Sequence, residues 1–431
     1  MLTKEQNDLL TQVGPGTPGG ELLRRYWQPV ALAEELPPGG DPVPVRILGE
    51  DLVLFRDEQG RLGLLGLHCS HRRTDLSYGR IENGGLRCLY HGWLYDVSGR
   101  CLEQPGEPKG STFHEQIRHP AYPCHEVGEI IFTYMGPGEP PLFPAYDLFL
   151  APDEYRFRPN KSLNECSYLQ GNEGNIDPLH TSALHLLADN SYRTALSRGN
   201  APLPTSTNTN DTWWELSDMR GEIDVEPTDY GLRIYTVRPV SLQASSYKVT
   251  NFVMPNLCVI GGGRTEGGYQ LDWHVPIDDT HHWKYTMGFT RSEPADRSVK
   301  LWEGCVSSDY RRSRTAANRY RQNREELYTA SFTGMGRYFL EHDGFAIESQ
   351  GLIEDRTLEH LSYSDRAIVI ARMTLLKAIQ DVKEGREPLH VIRDLAANDF
   401  SHLFAASGTL PRDTEWRTHL SEAHQAAVSR R

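Results

Sequence analysis

The stretch CSHRRTDLSYGRIENGGLRCLYHGW, residues 69–93, decides the fold. It carries two pairs of metal-binding residue types, Cys69 with His71 and Cys88 with His91, and sixteen residues separate the two pairs. Turn signals interrupt the alternation of apolar and polar residues around it, so we expect each pair on a loop between short antiparallel strands. Four such ligands on neighbouring loops can converge on one centre, and both zinc and iron–sulfur clusters use thiolate and imidazole ligands.

The order of the four residues favours an iron–sulfur cluster over zinc. Each loop supplies one cysteine and one histidine, so one iron can take both thiolates and the other iron both imidazoles. Zinc ribbons usually carry Cys-x-x-Cys knuckles, which this stretch lacks. Neutral imidazoles in place of two thiolates raise the reduction potential, because the reduced cluster then carries less negative charge. The stretch therefore predicts a Rieske-type [2Fe–2S] cluster held by Cys69, His71, Cys88 and His91.

A second group of candidate ligands lies in CSYLQGNEGNIDPLHTSALHLL, residues 166–187. Asp177, His180 and His185 follow the spacing D-x2-H-x4-H. Two histidines and one carboxylate on one face of Fe(II) leave positions open for O2. A regular helix would turn the two imidazoles about 140° apart, so we expect a π-type bulge between them. Two histidines on a helix are more often surface residues, but electrons leaving the predicted cluster need an acceptor, which favours a metal site here.

Composition and charge narrow the class of protein. A chain of 431 residues exceeds the usual size of one core, so two domains are expected. The formal net charge of −13 argues against binding to nucleic acids or anionic membranes. The start MLTKEQNDLL is polar, and no apolar run is long enough to span a bilayer, so we expect a cytoplasmic protein. Seven scattered cysteines do not suggest a disulfide scaffold.

The pattern along the chain predicts a small all-β part followed by a larger α+β part. We expect a helical segment over residues 1–40, the cluster domain over 41–150 and a second domain over 151–431. The proline-rich stretch GPGEPPLFPAYD marks the crossing between the two domains. Residues 213–290 are β-rich, whereas 297–328 and 364–385 show helical spacing of apolar residues.

These motifs resemble the Rieske ring-hydroxylating oxygenase family, alpha-subunit type. The opening VGPGTPGGELLRRYWQPV, residues 69–93 and the late SDRAIVIAR are most similar to the branch of phthalate dioxygenase and dehydrodivanillate O-demethylase. The resemblance implies an α+β fold, with an N-terminal all-β Rieske domain and a helix-grip (START-like) catalytic domain. That catalytic domain has a large antiparallel sheet, C-terminal helices and a mononuclear Fe(II).

The resemblance also implies roles for residues that spacing alone leaves open. Asp343 and Glu348 match the family's D-x4-E pattern, so Asp343 is expected to join His180 and His185 as an iron ligand. Asp177 is then expected to be a bridge, contacting His180 on one side and His91 of a neighbouring subunit on the other. Glu348 is expected to support the site from outside the ligand set. His342 and His360 are expected to be structural or exposed.

The function that the resemblance implies is that of a terminal oxygenase, which oxidises an aromatic carboxylate with O2 and electrons from a separate reductase or ferredoxin. O-demethylation of a methoxylated lignin-derived aromatic such as dehydrodivanillate is favoured, and phthalate-type ring cis-dihydroxylation is the alternative. A non-catalytic Rieske electron carrier is the alternative from another class. The family assembles as a homotrimer or a pair of stacked trimers. Candidate cations for the substrate carboxylate are Arg233, Arg238 and Arg264, although each is more often an ordinary surface residue.

Overall fold

Two β-rich regions, joined by the proline-rich segment 136–147, make up the chain in the computed structural model. The structure describes residues 1–185, 221–239, 242–262, 265, 267–299 and 302–429. Strands of the first region lie between residues 28 and 133, and those of the second lie between 160 and 288 and at 406–411. The predicted α+β class, with a small all-β part first, is confirmed. The domain boundaries after residues 40 and 150 stay predictions.

Three small antiparallel sheets form the first region, counted over the described residues. One sheet consists of β1 (Gln28–Leu32), β10 (Cys124–Val127) and β11 (Ile130–Thr133). Another consists of β2 (Val43–Ile47), β3 (Glu50–Arg56), β4 (Leu62–Gly66) and β9 (Ala121–Tyr122). The last consists of β5 (Arg80–Glu82), β6 (Gly85–Arg87), β7 (Leu94–Asp96) and β8 (Cys101–Glu103).

A tight turn between β5 and β6 fixes where the second predicted ligand loop begins. Asn83 has a φ of 53° and Gly84 a φ of 77°, which is the left-handed pair of a type I′ hairpin turn. Asn-Gly is the preferred sequence for that turn, since both residues tolerate positive φ. Strand β6 then ends at Arg87, so Cys88 is the first residue of the loop.

One large antiparallel sheet of eight strands dominates the second region of the described chain. Six consecutive strands, β13 to β18, form a meander, and β12 pairs with β18 at one edge of the sheet. Strand β15 pairs with β16 along one half of its length and with β19 along the other half. The strands are β12 (Asn160–Asn164), β13 (Glu222–Pro227), β14 (Gly231–Pro239), β15 (Ala244–Val253), β16 (Leu257–Ile260), β17 (Gln270–Asp278), β18 (His281–Gly288) and β19 (Ala406–Pro411).

Helices cover the sheet and begin with recognisable caps. Thr3 and Thr17 accept main-chain hydrogen bonds at the starts of the first two helices. We call Thr181–Leu184 the histidine turn and Phe339–Glu348 the aspartate helix. The other α-helices are Lys4–Thr11, Pro18–Leu23, Asp147–Leu150, Tyr168–Ile176, Arg366–Lys383 and Trp416–Ser429. The 3-10 helices are Ala33–Glu35, Leu76–Tyr78, Phe113–Gln116, Asp153–Tyr155, Ala316–Arg321, Glu326–Tyr328, Tyr363–Asp365 and Leu395–Ala397.

Of the two helices predicted from apolar spacing in the C-terminal part, the structure contains one. The helix expected over 364–385 is confirmed as Arg366–Lys383, whose buried face packs on the N-terminal helices and the large sheet. The helix expected over 297–328 was wrong, because the described part of that stretch consists of turns, bends, an isolated β-bridge between Val306 and Arg312, and two 3-10 segments. Arg319, Tyr320 and Arg321 have φ values of 47–53° there, which a right-handed helix cannot accommodate.

The predicted cluster loops have a hydrophobic core of their own. Cys69 and Cys88 belong to a small buried group with Phe55, Trp93 and Tyr95. A much larger core joins the N-terminal helices, β1, β11 and the large sheet, and a third, smaller core lies beneath the helix Trp416–Ser429. Among the described helices, none combines the length and the hydropathy that a bilayer-spanning segment requires.

Candidate metal centres and their surroundings

Each predicted cluster loop closes on its cysteine through a main-chain hydrogen bond. Arg73 N–H donates to Cys69 O at 2.9 Å, and Gly92 N–H donates to Cys88 O at 3.0 Å. Both donor residues are left-handed, with φ values of 63° for Arg73 and 74° for Gly92. A Cβ atom at position 92 would also lie only 3.1 Å from Pro105 Cγ. Both the positive φ and this close contact therefore favour glycine at position 92. The two loops therefore present their cysteine–histidine pairs in closely similar local structures.

The four loop residues separate into a buried pair and an exposed pair. Cys69 and Cys88 are 1% and 3% exposed, whereas His71 and His91 lie at the surface. The two imidazole centroids are 4.4 Å apart, and the His71 ring stacks on Trp93 at 4.5 Å and 3°. This arrangement fits a [2Fe–2S] cluster whose inner iron takes thiolates and whose outer iron takes imidazoles.

The surroundings of the two thiols indicate that they need a positive partner. Burial raises the pKa of the Cys88 thiol, and the neighbouring Cys69 raises it further. The Tyr95 hydroxyl lies 3.2 Å from Cys69 Sγ, and burial followed by contact with Cys69 raises the pKa of Tyr95 well above its ordinary value. Tyr95 therefore keeps its proton and can donate it to a thiolate. Iron supplies the charge that stabilises two adjacent thiolates in such a place.

Three side chains from two separate parts of the chain converge in the second region. His180 and His185 flank the histidine turn, and Asp343 projects from the aspartate helix. His185 Nε2 lies 3.0 Å from Asp343 Oδ1, and His180 Nε2 lies 3.8 Å from the same oxygen. One ligand atom from each residue lies within 4.8 Å of the other two. The structure thus brings together the residues that were predicted to bind the mononuclear iron.

The expected π-type bulge between His180 and His185 is wrong. Over residues 177–185, which the structure describes, the chain makes a single α-turn in which Leu184 N–H donates to His180 O at 2.8 Å. His185 caps this turn with φ −94° and ψ 8°, so it has already left the regular helix. The centroids of the His180 and His185 rings are 5.2 Å apart, so both imidazoles approach Asp343 without a bulge in the helix.

The charges and hydrogen bonds around His180 and Asp343 favour the protonation states that bind a metal ion. Burial opposes ionisation of Asp343, but His185 and then His180 hold the pKa of its carboxyl well below the ordinary range. Burial lowers the pKa of His180, which favours its neutral form. His180 Nδ1–H donates to the main-chain oxygen of Asp177 at 2.9 Å, so its Nε2 lone pair faces Asp343. An ionised carboxylate beside a neutral imidazole is the donor set that Fe(II) requires.

Asp177 lies beside the histidine turn with its carboxylate partly exposed. Its Oδ1 accepts a hydrogen bond from Leu179 N–H at 2.8 Å, and its Oδ2 lies 3.8 Å from His180 Nδ1. Asp177 therefore contacts His180 through its main-chain oxygen and comes near it with the carboxylate. A cavity of about 360 Å³ is lined by Asp177, His180, Asp343, Lys284 and Glu354 among others, and it opens the site toward the surface.

The three arginines that were candidates for binding a substrate carboxylate differ in where the structure places them. Arg238 is 2% exposed and donates to Ser182 Oγ in the histidine turn. Arg233 lies five residues earlier on the same strand and therefore on the opposite face, where it donates to His402 O at 2.6 Å. Arg264 lies outside the described residues. Of the two described candidates, Arg238 alone lies beside the predicted iron ligands.

Comparisons with known proteins decide the family. A model of the Rieske [2Fe-2S] domain matches residues 26–123, and the model called LigXa C-terminal domain like matches residues 133–430. The oxygenase subunit of phthalate 4,5-dioxygenase from Pseudomonas putida is 35% identical over 97% of this chain and 95% of its own length. The chain belongs to the Rieske non-heme iron oxygenases. The cofactors of this oxygenase are accordingly a Rieske [2Fe–2S] cluster and a mononuclear iron.

Further relatives of this Rieske oxygenase act on different molecules. The 5,5'-dehydrodivanillate O-demethylase oxygenase subunit of Sphingobium sp. (strain NBRC 103272 / SYK-6) is 33% identical over 92% of this chain and 85% of its own length. The alpha subunit of phenoxybenzoate dioxygenase from Ectopseudomonas oleovorans is 33% identical over 89% of this chain and 87% of its own length. The relatives thus include both dioxygenases and an O-demethylase.

Solved structures share the fold of this Rieske oxygenase at low identity. Dicamba monooxygenase bound to dicamba superposes with a TM-score of 0.58 at 16% identity, over 84% of this chain and 99% of that chain. The terminal oxygenase of carbazole 1,9a-dioxygenase from Nocardioides aromaticivorans IC177 gives 0.55 at 19% identity, over 89% of this chain and 97% of that chain. These likenesses support the same two-part architecture.

Sequence reasoning missed several ion-pair partners near the proposed iron ligands. Glu348 pairs with the buried Arg312, and its expected role of supporting the site stays a prediction. Glu173 is buried and binds two arginines, Arg356 at 2.8 Å and Arg372 at 2.6 Å. These partners are separated by 36 to 199 residues in sequence, so local spacing carried no signal for them.

Proposed function

We propose that this oxygenase oxidises an aromatic carboxylate and that Arg238 binds the carboxylate group of the substrate. The observation that carries the proposal is the contact between the buried Arg238 and Ser182, which lies between His180 and His185. A guanidinium binds a carboxylate through paired hydrogen bonds, and burial strengthens that attraction. A substrate anchored there would have its ring beside the iron ligands.

O-demethylation of a methoxylated lignin-derived aromatic such as dehydrodivanillate is the reaction that we propose first. The 33% identity to the dehydrodivanillate O-demethylase subunit supports it. Ring cis-dihydroxylation of a phthalate-like acid is the second candidate, which the 35% identity to the phthalate 4,5-dioxygenase subunit favours. Both reactions would use the same anchor at Arg238, and they differ in whether a methyl group or a ring edge faces the iron.

We assign the ligands of the two centres from the geometry above. Cys69, His71, Cys88 and His91 would hold the cluster, and His180, His185 and Asp343 would hold the iron. When bound, the cluster passes on electrons singly and the iron activates O2 for attack on the substrate. The protein's own contribution is to keep the His180 imidazole neutral, to keep Asp343 ionised and to orient both rings through their Nδ1 atoms.

Asp177 is our candidate for the link between the two centres. In this proposal His91 of one subunit faces Asp177 of the next subunit in a head-to-tail homotrimer or a stacked pair of trimers. The exposure of the His91 ring and the partial exposure of the Asp177 carboxylate support such a contact between subunits. A carboxylate between two imidazoles orients both rings and couples the metals that they bind.

A separate ferredoxin or reductase would supply the electrons to this oxygenase. The oxygenase of carbazole 1,9a-dioxygenase has been solved in complex with its ferredoxin, and it shares the fold with a TM-score of 0.54. The sequence contains neither a flavin nor a nicotinamide signature, which agrees with an external electron donor.

The reaction is tested with purified, iron-replete oxygenase and a reconstituted reductase. Methoxylated aromatic acids and phthalate are offered in parallel, and formaldehyde is measured against cis-diol. Formaldehyde in proportion to O2 consumed supports O-demethylation, and cis-diol supports the second candidate. Absence of oxidised product from every aromatic acid, with oxidation of neutral aromatics, would overturn the substrate class.

The anchor is tested with Arg238→Gln and its matched control Arg233→Gln on the opposite face of β14. R238Q should raise KM for the aromatic acid at least tenfold and should lose most of the preference for the acid over its methyl ester. R233Q should keep both values within about twofold of the parent enzyme, because Arg233 faces away from the iron site. Unchanged acid-over-ester preference in R238Q would reject Arg238 as the anchor.

A further inference from the structure

His342 lies next to the iron site without belonging to the proposed ligand set. It precedes Asp343 on the aspartate helix and is completely buried, although sequence reasoning gave it only a structural role or an exposed position. Its ring is nearly parallel to that of His185, with centroids 5.6 Å apart and an angle of 21°. Both ring nitrogens of His342 have a hydrogen-bond partner, and the identity of the two partners determines where the protons are.

The Nε2 atom of His342 lies 3.1 Å from the main-chain oxygen of Gly336. A carbonyl oxygen can only accept, so the hydrogen in this contact belongs to His342 Nε2. In a neutral imidazole the other nitrogen then has a free lone pair. His342 Nδ1 is therefore an acceptor, and it is directed at His185.

The Nδ1 atom of His185 lies 3.3 Å from His342 Nδ1. Since the His342 nitrogen is the acceptor, the hydrogen comes from His185 Nδ1. In the neutral form of His185, which is the form that binds a metal, this leaves Nε2 without a hydrogen, and its lone pair points to Asp343 Oδ1 at 3.0 Å. Phe339 stacks on the His185 ring at 4.2 Å and 14°, which restrains the plane of the ring.

We propose that His342 is a positioning residue that fixes the tautomer of His185 and so keeps His185 Nε2 and Asp343 available for the metal. This inference rests on the proposed role of His185 as an iron ligand. Without the acceptor at His342, the His185 proton can move to Nε2 and donate to Asp343 across the 3.0 Å contact. That hydrogen bond would occupy two of the three metal-binding atoms at once. The main-chain oxygen of Asp177 plays the corresponding part for His180, because it accepts a hydrogen bond from His180 Nδ1 and leaves Nε2 for the metal.

The test compares His342→Asn with His342→Leu, two side chains of nearly equal shape. Asn retains a polar acceptor close to the position of Nδ1, whereas Leu has none. We expect H342L to bind Fe(II) at the mononuclear site 10- to 100-fold more weakly, which is typical for loss of such a partner. H342N should stay within about threefold of the parent. Fe(II) affinity is measured by titration of protein that retains its Rieske cluster, and the visible spectrum of the cluster reports that the fold is intact.

Two further variants serve as controls for the Fe(II) titration. His390→Leu removes a partly buried histidine that bonds Tyr146 at 2.6 Å elsewhere in the chain, so it should leave Fe(II) affinity unchanged. His185→Ala should abolish mononuclear binding, and if it does not, the proposed ligand set itself fails. Equal affinity in H342L and the parent overturns the role of His342 while leaving the ligand set intact. A loss above tenfold in a folded H342N overturns it as well, and this comparison remains available if H342L does not fold.

Discussion

The hydroxyl oxygen of Tyr95 lies 3.2 Å from Cys69 Sγ inside the small core of the Rieske domain. Hydrogen bonds to the sulfurs of an iron–sulfur cluster raise its reduction potential, because they stabilise the more negative reduced state. The Tyr95→Phe variant should therefore have a lower potential, on the order of 40 mV if the bond stabilises the reduced state by about 1 kcal/mol more than the oxidised state. Redox titration followed by EPR measures this, and an unchanged midpoint would show that the hydroxyl does not bond the thiolate.

Asp177→Asn tests the proposed link between the metals. Asn can still accept the hydrogen bond from Leu179 N–H, so the local turn should persist. We expect both metals to remain bound, while oxidation of the substrate falls by at least a hundredfold because the charged bridge is lost. Iron content, the Rieske EPR signal and the rate of cluster re-oxidation in a single turnover are the measurements. Normal turnover in this variant would remove Asp177 from the electron path.

Glu173→Gln tests the buried ion network at the cavity that His180 and Asp343 also line. Glu173 binds Arg356 and Arg372, which are 0% and 3% exposed, and the variant leaves two buried guanidinium groups short of a charge partner. Loss of one member of a buried pair typically costs about 3 kcal/mol or more, so Tm should fall by several degrees. The exposed pair Lys4–Asp8 provides the control, and Asp8→Asn should leave Tm unchanged. A thermally neutral E173Q would mean that the network does not contribute to stability.

Glu354 should make stability depend on pH. Burial, assisted by the neighbouring carboxylates of Glu173 and Glu359, raises its pKa from 4.5 to about 7 against the opposing charge of Arg356. A carboxyl with a raised folded-state pKa stabilises the fold at low pH, and that stabilisation is lost as pH rises from 4.5 toward 7. The Tm of Glu354→Gln relative to the parent should therefore increase between pH 5 and pH 8. A difference in Tm that is constant over this range would contradict the raised pKa.

The convergence of the cysteines and histidines of the Rieske loops, and that of His180, His185 and Asp343, could be predicted because the signals are local or follow a family pattern. The spacing of Cys69, His71, Cys88 and His91 needs only two neighbouring loops between short strands, and the Asn83–Gly84 turn that precedes β6 determines where the second of these loops begins. The long helix Arg366–Lys383 follows from the periodicity of its apolar residues.

The parts that could not be predicted depend on contacts between distant segments. His342 and His185 are 157 residues apart, so no local pattern indicates that their rings meet. Arg233 and Arg238 had to lie on opposite faces of one strand, but only the structure identifies the face that meets the proposed iron ligands. The stretch 297–328 has helical spacing, yet left-handed backbone at Arg319–Arg321 overrides that pattern.

Strand β15 has two partners on the same side, β16 along Thr250–Val253 and β19 along Ala244–Val249. The C-terminal segment thus completes a sheet whose other strands come from much earlier in the chain. Shortening the polypeptide before Ala406 would leave a row of amide and carbonyl groups unpaired along β15. An exposed row of that kind pairs readily with another chain, so such a truncated protein would tend to aggregate even if both metal centres could still form.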